Sequence, residues 1–136
     1  MLLGDSITEI TCWRPLVWTQ LATANLTGSI QLVGSMNGAG SCQKPAGFDG
    51  HHEGHSGIQA NEVVKKIAGW VQTTKPDVVQ FMLGTNDVNI GKKDDKSILE
   101  AYNSILASIR AANPKVFIVV SSSTNLAVER NRPFDT

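Results

Sequence analysis

Short apolar runs alternate with longer amphipathic stretches along this chain, and the alternation predicts strands separated by helices. Met1-Leu2-Leu3 reads as the stub of a first strand and Ile30-Gln31-Leu32-Val33 as a short second one. Val78-Val79-Gln80-Phe81-Met82-Leu83 and Val116-Phe117-Ile118-Val119-Val120 are almost wholly apolar, the pattern of parallel strands covered on both faces. From Pro15 to about Leu26, apolar residues at Leu16, Val17, Leu21, Ala24 and Leu26 predict a helix that ends near Asn25–Gly28. Helical spacing resumes at Ile58, with Val63, Val64, Ile67, Trp70 and Val71 on one face, and Lys75-Pro76-Asp77 breaks it. The clearest helix runs from Ser97 to Ala112, with Ile98, Leu99, Tyr102, Ile105, Leu106 and Ile109 as its stripe and Asn113-Pro114 as its stop. Residues 34–57, rich in glycine and holding all three histidines, read as irregular, and Ser121 to Thr136 shows no element. This order of elements predicts an α/β domain built on a parallel sheet.

At 136 residues the chain is one domain, residues 1–136, long enough to bury a core. Hydrophobic residues at 41% and charged ones at 18% describe an ordinary globular protein. Twelve Lys and Arg balance twelve Asp and Glu, and the one charge run is Lys92-Lys93-Asp94-Asp95-Lys96, so neither nucleic acid nor an anionic membrane is an expected partner. No apolar run approaches the ~20 residues of a membrane-spanning helix. Met1-Leu2-Leu3 is too short for the apolar core of a signal peptide. Cys12 and Cys42 are either one disulfide or two buried thiols, and the bridge would favour a secreted protein.

Two turns carry candidate chemistry. Gly4-Asp5-Ser6-Ile7-Thr8 follows the first strand, and Gly84-Thr85-Asn86-Asp87 follows the strand at 78–83. Ligands of open α/β sheets bind at the carboxyl ends of the strands, where both turns should lie. A serine there can attack an acyl carbonyl. Backbone N–H groups and the Asn86 amide can then hold the oxyanion, each donor contributing roughly 3 kcal/mol in the transition state. Singly, the first turn is an ordinary helix N-cap and the second an ordinary turn; as a pair they point to acyl transfer.

On these blocks the chain resembles the SGNH, or GDSL-type, hydrolase superfamily of esterases and lipases, and within it the acetyl xylan esterases of carbohydrate esterase family three. Gly4-Asp5-Ser6-Ile7-Thr8-Glu9 is similar to the first block, which implies that Ser6 is the nucleophile. Gly54-His55-Ser56-Gly57 resembles the second, which gives Gly57 a backbone N–H in the oxyanion hole, and Gly84-Thr85-Asn86-Asp87 resembles the third, which gives Asn86 the other donor. The resemblance implies a three-layer α/β/α sandwich of flavodoxin-like type with four of its parallel strands present. It also implies a serine esterase that removes acetyl groups from a plant polysaccharide such as xylan, without cofactor or metal.

The family's last block, Asp-x-x-His, has no counterpart: no histidine follows His55, and Asp135 is the nearest formal candidate for its acid. The expected chain is therefore a shortened fold lacking a C-terminal strand and helix, impaired in catalysis and able to associate through an open sheet edge. The alternative is an inactive domain of the same fold that binds a glycan or an acyl group. His51, His52 and His55 precede Gly57, and one of them replaces the base only if it comes within about 3 Å of the serine oxygen. Two further motif readings are weak. Gly54-His55-Ser56-Gly57-Ile58 lacks the last glycine of a nucleophile elbow and no strand is expected before it. Asp49, His51, His52, Glu53 and His55 do not have zinc-protease spacing. Trp18 and Trp70 are expected in the core, whereas Trp13, Arg14 and His55 are expected to line the substrate crevice.

Overall fold

A computed structural model of the chain describes residues 1–122. Asp135 and the stretch from 123 onward lie outside the described residues. Five strands form one sheet. β1 (Leu2–Gly4) is central, flanked by β3 (His51–Gly54) and β4 (Val78–Met82), with β2 (Met36–Asn37) beyond β3 and β5 (Phe117–Val120) beyond β4. β1, β3, β4 and β5 run parallel, and β2 is antiparallel to β3. The α/β class and the count of four parallel strands agree with the sequence reading, but one strand is a different segment.

Ile30–Val33 forms no strand. β3, inside the segment read as irregular, takes the place beside β1. The chain around Leu32 is held by side chains instead of a ladder: Leu32 N–H donates to Asp49 Oδ2 at 2.8 Å, and Ser35 N–H to Glu53 Oε2 at 2.8 Å. Gly34 crosses so close to β3 that a Cβ on it would lie 2.1 Å from the His52 carbonyl oxygen. The sequence His51-His52-Glu53-Gly54 does not look like a buried strand because its polar groups find partners only in the fold. Glu53, fully buried, accepts from Ser35 Oγ at 2.5 Å and pairs with His55 Nε2 at 2.6 Å. His52 Nδ1 accepts from Gly54 N–H at 3.0 Å.

Six α-helices accompany the sheet: α1 (Ser6–Ile10), α2 (Trp13–Thr23), α3 (Ala60–Val64), α4 (Ile67–Thr74), α5 (Thr85–Asn89) and α6 (Asp95–Ala112). The helical stretch from Ile58 is two helices. Lys65 and Lys66 N–H groups tighten onto the Glu62 and Val63 carbonyls and end α3 before α4 begins. α3, α4 and α6 pack together on one face, where Leu3, Val79 and Phe81 from the sheet meet Val63, Ile67, Ile105 and Ile109. Asp94 caps α6 by accepting from Ser97 N–H at 2.8 Å. On the opposite face the alternate residues Val78, Phe117 and Val119 are exposed, Phe117 by 67%. β5 is thus the outer strand among the described residues. Away from the main core, Trp18 of α2 is buried edge-on against Phe48. Cys12 and Cys42 form a disulfide, resolving the two alternatives left by the sequence.

Candidate active site

Strand register brings the three glycine turns together. Gly4 pairs with Gly54 on one side and Met82 on the other, so the segments that follow each strand leave the sheet side by side. Beyond the ladder, His55 N–H donates to Gly4 O at 2.9 Å, and Asn86 Nδ2 donates to Ile58 O at 3.0 Å. The chain passes from β1 to β3 on one side and then crosses to β4 on the other. That reversal is the place where an open α/β sheet leaves a crevice.

Ser6 is the first residue of α1. Asp5, buried, caps that helix through its Oδ1, which accepts from Ile7 N–H at 2.9 Å. Burial pushes the Asp5 carboxyl up from its ordinary value; the Ile7 N–H opposes this and the nearby Asp87 charge adds to it. Ser6 is half-buried, and its hydroxyl makes no hydrogen bond to another described residue. Asn86 lies in the first turn of α5 and is nearly buried. Its neighbour Asp87 accepts from Ala60 N–H with both oxygens, each at 3.0 Å, so the starts of α3 and α5 are fixed to one another.

The third element is the turn His55–Ile58, closed by Ile58 N–H on His55 O at 3.2 Å. Gly57 occupies its third position with φ +82°, the left-handed conformation that a type II turn requires there. A Cβ on Gly57 would meet nothing within 4 Å, so this backbone faces open space. Ser6, Gly57 and Asn86, read from three distant stretches, are thus carried to one end of the sheet.

The remaining candidates separate. Arg14, expected to contact substrate, is corrected: it is 1% exposed and its guanidinium serves main-chain carbonyls. Nε donates to Thr8 O at 2.6 Å, Nη2 to Glu9 O at 2.9 Å, and Nη1 to Gly38 O at 3.0 Å and Gly50 O at 3.4 Å. It therefore closes the carbonyl end of α1 and ties it to the exit of β2 and the entry of β3. Trp13 is half-buried, its indole N–H donating to Ile7 O at 3.2 Å. His55 lies beside Gly57, but its Nε2 is taken by Glu53 and its ring stacks on Trp70, centroids 4.9 Å apart. Burial pushes Glu53 up, yet the bonds from His55 and Ser35 outweigh it and hold the carboxyl below its ordinary value.

His52 and His51 are engaged as well, His51 through Asp49 at 2.7 Å. Among the described residues no three His, Cys, Asp or Glu side chains converge as metal ligands. The nucleophile elbow fares differently from its argument. A strand, β3, does precede Gly54–Ile58, but the Ser56 hydroxyl is given to the Glu9 carboxylate. Glu9 enters the sequence only as the last residue of the first block, with no role of its own. Its only sequence cue is the spacing Ser6-x-x-Glu9, which suggests a capping box closing on its own helix and not a bond to residue 56.

Comparison with known proteins agrees with this geometry. Residues 2–135 match the model of the GDSL-like lipase/acylhydrolase family. The structure is similar to the crystal structure of a carbohydrate esterase family 3 protein from Talaromyces cellulolyticus, at 61% identity and TM-score 0.85, over 88% of this chain and 59% of that one. The same figures hold for an acetyl esterase mutant solved with an acetate ion. A family 3 carbohydrate esterase of Clostridium thermocellum is similar at 27% identity and TM-score 0.77, over 96% of this chain and 64% of that one. The chain thus spans about three fifths of the length of these solved proteins. No curated protein matches it. With a serine turn, a glycine turn and an asparagine turn at the ends of three adjacent parallel strands, and with the family model matched from residue 2 to residue 135, the chain belongs to the GDSL-like lipase/acylhydrolase family.

Proposed function

We propose that this chain supplies the nucleophile and oxyanion hole of a serine esterase acting on small acetyl esters. The observation that carries the reading is the side-by-side exit of Asp5-Ser6, His55–Ile58 and Leu83–Asn86 from β1, β3 and β4. Ser6 Oγ attacks the acyl carbonyl and gives up its proton to water, and the N–H groups of Ser6 and Gly57 with the Asn86 amide receive the negative charge; breaking of the ester C–O bond then expels the alcohol and leaves acetyl-Ser6 for water to hydrolyse. Ile58 O takes one amide hydrogen of Asn86 and so orients the other donor. No cofactor has a part in this chemistry. The substrate class follows from likeness to proteins titled carbohydrate esterase and acetyl esterase, and an acetylated plant polysaccharide such as xylan is its most specific form. A secreted location accords with the disulfide Cys12–Cys42. Association through the β5 edge belongs to the same reading, and sedimentation at two concentrations tests it.

A second reading rests on the Ser6 hydroxyl, which has no hydrogen-bond partner among the described residues: a domain that binds an acyl group or a glycan without turnover. Hydrolysis of 4-nitrophenyl acetate separates the two. The esterase reading expects a slow release of 4-nitrophenol as Ser6 is acetylated, above the level that an oxyanion hole and binding alone retain. It expects Ser6→Ala to abolish that release. Equal rates in the two proteins would favour the binding domain.

A further inference from the structure

Glu9 lies one turn along α1 from Ser6, yet its carboxylate reaches across to the glycine turn. Its Oε2 accepts from Ser56 N–H at 2.6 Å and from the Ser56 hydroxyl. The Ser56 hydrogen bonds hold the Glu9 carboxyl below its ordinary value, with burial opposing them. The turn has few other restraints. His55 is anchored by Gly4 O, Glu53 and Trp70, and Ile58 by the closing bond to His55 O and by Asn86 Nδ2, which donates to its carbonyl. Ser56 and Gly57 themselves are exposed, with open space around Gly57.

The peptide between Ser56 and Gly57 carries the Gly57 N–H. Type I and type II turns differ by a flip of that central peptide, which reverses the direction of this N–H. Glycine adopts either form at little steric cost, so its own conformational preference does not hold the N–H in one direction. Gripping Ser56 at both its N–H and its side chain fixes the residue on which that peptide pivots.

We propose that Glu9 is a positioning residue: one carboxylate ties the helix that bears Ser6 to the turn that bears Gly57, and so holds nucleophile and oxyanion donor at a fixed separation. The inference rests on the reading of Ser6 and Gly57 given above. It adds that the two are coupled through a side chain touching neither substrate nor reacting atom.

The test uses the full chain with Glu9→Ala, Glu9→Gln, Ser56→Ala and Ser6→Ala. The readouts are kcat and KM on 4-nitrophenyl acetate and the NMR order parameter of the Gly57 N–H. Glu9→Ala is expected to lower kcat by on the order of tenfold to a hundredfold with KM within about twofold, as small misplacements of reacting groups do. Its Gly57 order parameter should fall from about 0.85 to below about 0.6. Glu9→Gln keeps one acceptor and should recover part of both; Ser56→Ala should show a smaller loss and covers the case in which Glu9→Ala fails to fold. An unchanged Gly57 order parameter in Glu9→Ala and Ser56→Ala overturns the strap, whatever happens to turnover. If Ser6→Ala leaves turnover unchanged, the esterase reading fails by itself, and the Gly57 order parameter still decides whether Glu9 holds the turn.

Discussion

Asn86 has one amide hydrogen committed to Ile58 O at 3.0 Å, and its side chain is nearly buried, so its orientation is set before any ligand arrives. Asn86→Ala should therefore lower kcat on acetyl esters by about 10²–10³-fold with little change in KM, the pattern of a contact made in the transition state. Steady-state kinetics check it, and an effect confined to KM would contradict it. Arg14 makes the opposite kind of prediction. Arg14→Ala leaves carbonyls at Thr8, Glu9, Gly38 and Gly50 without their donor and should destabilise the fold by roughly 3 kcal/mol in chemical denaturation. A KM effect without loss of stability would restore the substrate role. Ser6 and Asn86 were legible in sequence because each sits in a local block that marks its own place after a strand. Arg14 was not, since its acceptors come from residues 8, 9, 38 and 50 and no local pattern announces them.

Strand β3 shows where element-level reading fails and why. A run of two histidines, a glutamate and a glycine has no apolar face, yet it is the inner neighbour of β1 because Ser35, Gly54 and His55 satisfy its polar groups. The apolar Ile30–Val33 looked more like a strand and is instead pinned by Asp49. The strands β4 and β5 and the helix α6 were legible because their apolar patterns are local to each segment, although β5 keeps Phe117, Val119 and Val120 exposed. The cost of a buried histidine gives a pH prediction. Burial, with the Arg14 charge next, lowers the His52 pKa from 6.5 to about 4, with Glu9 pulling the other way. The unfolded chain then binds the extra proton between those values, so stability is full above 6.5 and is lost as pH falls toward 4. The loss should be on the order of 2–3 kcal/mol. His52→Asn retains an acceptor for Gly54 N–H and should flatten that slope in urea denaturation followed from pH 7 to 4. Equal slopes in both proteins would contradict the account. Gly34→Ala, which drives a methyl into the His52 carbonyl, should destabilise the same strand at every pH.

At the scale of the molecule, the alternation of apolar runs and amphipathic stretches was enough to read the α/β class and the end of the sheet where the candidate site lies. It could not reveal that Val78, Phe117 and Val119 stay exposed on the face opposite α6, since apolar patterning does not say what covers a strand. The disulfide joins residues 30 apart and ties the start of α2 to the loop before β3. Replacing Cys12 and Cys42 by serine should cost about 3–4 kcal/mol, most of it by freeing the unfolded chain. Calorimetry on the two forms checks this, and equal midpoints would remove the bridge from the account of stability. The central claim is that three strand ends make one acyl-transfer site around Ser6. Its most direct measurement is reaction of the full chain with a 4-nitrophenyl alkylphosphonate, followed by peptide mapping of the adduct. The account predicts a single adduct on Ser6, formed more slowly in Asn86→Ala. An adduct on Ser56, or none on Ser6, would contradict it.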